Sequence, residues 1–192
     1  SEDGGRDIIV DSSDNIFILG TTKGNIDGAS SASSFSDTFV AKYNSSGTRQ
    51  WIKQFGTSDS SSEGKCFAID SVGNLFISGK TGGAFDGYTN AGRSDVFIAK
   101  YNSSGTKQWI KQFGTSEYDY SNTCDVDTLD NFYIGGYTTD GAFDDYSNLG
   151  NNDLIISKYN SSGTKQWLKQ FGTSNYEYDD CGVILDSSNN IL

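Results

Sequence analysis

KYNSSGTRQWIKQFGTS, residues 42–58, returns almost unchanged at 100–116 and again at 158–174. Only positions 49/107/165 (Arg or Lys) and 52/110/168 (Ile or Leu) differ among the three copies. Trp51, Trp109 and Trp167 mark the period, 58 residues each time (109 − 51 and 167 − 109). A fixed period of this size means that one supersecondary unit is stacked on copies of itself.

Each copy contains four strand-like runs rich in Val, Ile, Phe and Tyr, separated by Gly, Asn, Asp and Ser. In the third copy these are Thr123–Thr128, Phe132–Tyr137, Asp153–Tyr159 and Thr164–Phe171, with a long Asp/Gly/Asn loop over 138–152. Gly47, Gly105 and Gly163 stand where a tight hairpin needs positive φ. No segment has helical periodicity with caps. Four antiparallel strands per tandem repeat predict an all-β fold, a β-propeller of four-stranded antiparallel blades. Blades are expected at about 7–55, 66–113 and 123–171, with an incomplete fourth over 181–192. The chain opens at Ser1 without Met and stops inside an apolar strand at Leu192, so the propeller is expected to be completed by a larger chain or by an assembly.

The pattern DxFxAKYNSSGxxQWxKQFG, an acidic loop and then xVDSxxNxxxxG resembles the bacterial β-propeller repeat called SBBP. Asp95-Val96-Phe97-Ile98-Ala99-Lys100-Tyr101, Trp109 to Gly114 and Ile69-Asp70-Ser71-Val72-Gly73-Asn74 carry the resemblance. In the third copy the stretch from Cys124 to Asn131 is one residue shorter. Such repeats occur in large secreted or surface proteins without a generally established activity, so the resemblance implies a fold and an extracellular or cell-surface setting, with no reaction attached. Ala99–Trp109 is also similar to the tryptophan-docking motif of quinoprotein propellers, which implies packing of Trp between blades. The sialidase Asp-box does not fit, because Ser103 stands two residues before Gly105 and Trp109 four after it.

Composition narrows the function. The formal net charge of −11 disfavours nucleic acid and anionic membranes as partners. No apolar run approaches the roughly 20 residues of a membrane-spanning helix. The chain has no His, Pro or Met, which excludes His-dependent triads and His-ligated zinc or haem. Cys66, Cys124 and Cys181 occupy one repeat position, without metal-ligand spacing. Equivalent positions in neighbouring repeats are expected to lie beyond the about 7 Å that a disulfide allows, so the cysteines are read as small buried residues.

Trp51, Trp109 and Trp167 share a strand face with Phe55, Phe113 and Phe171 and are expected in the interblade core. Nine of the 14 basic residues belong to the repeated hairpin, as Lys42, Arg49, Lys53 and their equivalents. Acidic residues gather in the variable loops. Propeller topology brings the strand-four-to-next-blade and strand-two-to-strand-three loops to one face. That face would carry Asp86 and Tyr88; Glu117, Tyr118, Asp119 and Tyr120; Asp144, Asp145 and Tyr146; and Tyr176, Glu177 and Tyr178. Carboxylates interleaved with aromatics suit a protein or glycan partner, or Ca²⁺ at Asp86, Asp144 and Asp145. The loops match neither the EF-hand nor the RTX calcium spacing. No other cofactor is implied.

Asp37, Asp95 and Asp153 open the third strand, and Asp11, Asp70 and Asp186 end the first; both sets are read as caps of strand ends and turns. Acidic groups repeated in every blade argue against a unique catalytic pair. The expected function is a non-catalytic secreted or surface scaffold and interaction module, with a multivalent lectin-like carbohydrate binder or a Ca²⁺-binding adhesin segment as the alternative. Asn44-Ser45-Ser46, Asn102-Ser103-Ser104 and Asn160-Ser161-Ser162 are formal glycosylation sequons that the turn alone explains.

Overall fold

The protein is described here by a computed structural model covering residues 3–32, 34–175 and 182–192. Three four-stranded sheets follow one another along the chain. Blade 1 comprises β1 (Gly4–Val10), β2 (Ile16–Thr22), β3 (Asp37–Tyr43) and β4 (Arg49–Phe55). Blade 2 comprises β5 (Ser62–Ile69), β6 (Leu75–Thr81), β7 (Asp95–Tyr101) and β8 (Lys107–Phe113). Blade 3 comprises β9 (Tyr118–Val126), β10 (Phe132–Thr139), β11 (Asn152–Tyr159) and β12 (Lys165–Phe171). Within each sheet the strands lie in sequence order and pair antiparallel, as a meander of hairpins. The three sheets do not close into a ring, and no helix occurs among the described residues.

The hydrophobic cores lie between blades. Phe17, Leu19 and Val40 of blade 1 meet Leu75, Ile77 and Phe97 of blade 2. Phe76, Val96 and Ile98 on the opposite face of blade 2 meet Phe132, Ile134 and Ile155 of blade 3. Blade 2 is therefore covered on both faces: all seven residues of β7 are buried, and Val96–Ala99 run apolar without alternation. The outer faces are open: Ile8 of β1 is 62% exposed and Phe171 of β12 47%.

Local chemistry sets the turns. Asn102 Oδ1 accepts from Ser104 N, Ser104 Oγ and Thr106 N, and Gly105 follows at φ 77°. Asn44 and Asn160 repeat this arrangement, so the sequon asparagines are turn caps. The first-strand turns are closed by Asp11, Asp70, Asp127 and Asp186, each accepting the backbone N–H groups two and four residues on. Residues 182–192 begin this pattern again beside blade 3: Val183 N donates to Thr123 Oγ1 and Leu185 N to Asp125 Oδ2.

Two expectations are corrected. β9 begins at Tyr118, well ahead of Thr123, because pairing with β10 through a bulge at Gly135/Gly136 recruits the polar run before the apolar one. And Cys66 and Cys124 form a disulfide, with Cα atoms 5.9 Å apart. The first strands of successive blades are direct neighbours, so distance does not forbid the bond. The two cysteines are also not structural equivalents. Cys66 sits opposite Ser78, whereas Cys124 sits opposite Ile134, and Ile77 is the blade 2 counterpart of Ile134. Because side chains alternate along a strand, that offset of one turns the two sulfurs toward each other across the seam. Cys181 lies outside the described residues.

Candidate functional site

The loops between second and third strands are built against the connections that leave fourth strands. Arg93 N and Ser94 N both donate to Glu117 O, and Asp119 N donates to Ser94 O at 2.8 Å. Gly82 N donates to Ser61 O on the preceding seam. The two sets of loops thus share one face, as propeller topology requires.

Each seam between described blades opens there into a cleft. The first, of about 260 Å³, is lined by Phe55, Phe85, Asp86 and Lys107. The second, of about 290 Å³, is lined by Tyr88, Phe113, Phe143, Asp144 and Lys165. These are repeat equivalents: an aromatic from the fourth strand, a Phe-Asp pair from the next blade's loop, and a Lys from that blade's last strand. Phe55 packs on Phe85 and Phe97, and Phe113 on Phe143 and Tyr159, so the cleft floors are continuous with the cores. At the rims Lys165 Nζ pairs with Asp144 Oδ2 at 2.6 Å, and Arg49 pairs with Asp27 at the corresponding position of blade 1.

The candidate site residues divide by environment. Asp86, Asp144 and Asp145 are exposed on the loops. Tyr88 and Tyr146 are half-buried anchors of those loops, and Tyr146 donates its hydroxyl to Leu168 O at 3.3 Å. Glu117 pairs with Arg93 at 3.3 Å, and the same Arg93 lies over Tyr118 at 5.5 Å. Tyr118, Tyr120 and Tyr137 stack in succession, with Lys80 over Tyr120 at 5.0 Å. Asp119 stands at the loop-face end of β9 but is not exposed there. It lies inside β9 and is fully buried, so it is withdrawn from any contact surface. Burial, with Asp95 adding to it against the bonds from Thr138 and Thr115, pushes its carboxyl up to about 6. Tyr176, Glu177 and Tyr178 lie outside the described residues. Asp86 belongs to blade 2 whereas Asp144 and Asp145 belong to blade 3, and among the described residues no group of three or more His, Cys, Asp or Glu converges as a metal site.

The aromatic-and-basic hairpin is structural. Trp51 Nε1 donates to Ser103 O of the next blade's turn, and Trp109 Nε1 to Ser161 O, each at 3.3 Å. Trp51, Trp109 and Trp167 stand edge-on to Phe17, Phe76 and Tyr133. Over the same three rings lie Lys42, Lys100 and Lys158. Lys100 and Lys158 reach on to the turn carboxylates of Asp70 and Asp127 at 3.5 and 3.3 Å. Burial tends to raise the Asp127 carboxyl, but the donors on Asn131, Leu129 and Tyr133 outweigh it and hold it below its ordinary value. The repeated Lys, aromatic, Trp and Asp are one packing unit, which pattern reading had separated into a charge cluster and a core stripe.

Residues 50–86 and 108–144 each match the family model described as Beta-propeller repeat, SBBP. The chain carries SBBP beta-propeller repeats. Each matched stretch runs from the Trp strand of one blade across the seam to the Phe-Asp loop of the next, and so contains the fourth-strand aromatic and the Phe-Asp pair of one cleft but not its Lys. No curated protein matches the chain. No helix among the described residues is long and apolar enough to cross a membrane.

Proposed function

We propose that these SBBP repeats form a non-catalytic extracellular interaction module that binds a partner along the loop face. The observation that carries this reading is the recurrence of one cleft at both seams, with the same aromatic, acidic and basic groups. Repeated, shallow sites suit multivalent attachment, in which effective concentration multiplies modest affinities. An active site is normally unique. The Cys66–Cys124 disulfide supports an oxidising, extracellular setting.

A lectin-like variant of the same reading is favoured by the aromatic floor beside Asp86 and Asp144, since sugars stack on rings and donate hydroxyls to carboxylates. Glycan-array binding with native protein and with an Asp86→Lys/Asp144→Lys double variant separates the two. Glycan binding lost in the variant supports the lectin reading. Binding to the surface of the producing cells, lost in the variant without any glycan signal, supports a protein partner. Cell-surface binding untouched by the double variant would reject the loop face as the contact surface.

A further inference from the structure

The seam between blades 2 and 3 encloses two carboxylates without a counter-charge. Asp95 opens β7, Asp119 lies in β9, and both are fully buried. Asp95 Oδ2 accepts from Gln112 Nε2 at 2.9 Å and from Ala91 N at 3.0 Å. Asp119 Oδ2 accepts from Thr115 N at 2.6 Å and from Thr115 Oγ1 at 3.1 Å. Asp95 Oδ1 has no partner, and neither has the buried hydroxyl of the adjacent Ser94. The two acids meet over Gly114. A Cβ on that glycine would come 2.7 Å from Asp119 Oδ2, 2.8 Å from Asp95 Cγ and closer still to Asp95 Oδ1. Glycine therefore lets both carboxylates close in on one backbone position. No Lys or Arg among the described residues pairs with either; Arg93 at the rim is engaged by Glu117.

We propose that Asp95 and Asp119 hold a calcium ion at this seam. Two buried charges brought this close are costly unless a cation neutralises them. Oxygen-only donors select a hard cation, and the adaptable coordination of Ca²⁺ lets nearby hydroxyls and water complete the shell, where Mg²⁺ demands near-ideal octahedral geometry. Thr115 supplies one such hydroxyl, already on Asp119. This site is separate from the exposed loop acids. It is also local to one described seam: Asp37 Oδ1 likewise lacks a partner, but the counterpart of Asp119 there is Ser62, which bonds to Thr57 and Thr81.

The test is calorimetric melting of the EDTA-treated chain at pH 7.5, with and without millimolar CaCl₂. At a hundredfold excess over Kd, Tm should rise by roughly 5–10 °C. Titration calorimetry should count one Ca²⁺ at this site. Asp119→Ser, which installs the residue found at this position in blade 2, should abolish the response, whereas Asp86→Asn/Asp144→Asn should retain it. No rise in the native chain, or an equal rise in Asp119→Ser, overturns the proposal. If Asp119→Ser does not fold, Asp119→Asn, which keeps an acceptor for Thr115, decides: a calcium-induced rise as large as that of the native chain overturns the site.

Discussion

Two glycines with the same backbone angle separate two physical effects. Gly47 has φ 78° and open space around it, whereas Gly105 has φ 77° with the Trp51 ring 2.9 Å from where a Cβ would stand. Gly47→Ala should cost about 1–2 kcal/mol for left-handed backbone alone. Gly105→Ala adds a clash across a seam and should cost clearly more, read as the difference in denaturant midpoints at unchanged slope. The turn requirement was legible in NSSG; the second role was not, because nothing local reveals that the preceding blade's Trp docks on that turn. Asp119 has the opposite history. In YDYS it looks like a loop acid, yet it is buried, and its folded carboxyl titrates near 6 rather than near 4. The neutral form is the one the fold favours. Its contribution is therefore fully present below about pH 4 and lost as pH rises through about 6, a loss of roughly 3 kcal/mol in calcium-free buffer. Asp119→Asn should flatten that fall in stability between pH 4 and pH 7, and an unchanged profile would place the titration elsewhere.

At the scale of the strand, the hairpins were readable because their turn residues and apolar runs agree. β9 was not, since Tyr-Asp-Tyr-Ser-Asn lacks the β-branched residues that mark strands; its pairing with β10 and the capture of Asp119 decide the matter. The clustering of basic residues in the repeated hairpin was legible, but not the ring contacts that draw Lys100 and Lys158 into the packing. The fourth strand behaves as expected where the next blade is described. Trp109 donates to Ser161 O and borders the core shared by blades 2 and 3, while Trp167 has its described ring contact within its own blade. Trp109→Ala should accordingly cost about 3–5 kcal/mol. Trp167→Ala should cost less, and equal losses in denaturant unfolding would argue that Trp109 owes its stabilising role to its own sheet.

For the whole molecule, cores placed between blades mean that no blade buries its apolar faces alone, so stability resides in the seams. The 58-residue period made this architecture legible; the covalent tie across one seam was hidden by the same regularity. Equal spacing suggested equal positions, and equal positions point the same way. The clue was the single residue missing between Cys124 and Asn131, which displaces Cys124 by one place and brings it to face Cys66. The resulting loop spans 58 residues, long enough for cross-linking to restrict the unfolded chain substantially. Reduction should lower stability by about 3–4 kcal/mol. Cys124→Ser should reproduce that loss in oxidising buffer and remove the sensitivity to reductant, because the seam then depends on packing alone in both conditions. If reductant shifts the variant as much as the native protein, the redox-sensitive bond is not the one between blades 2 and 3.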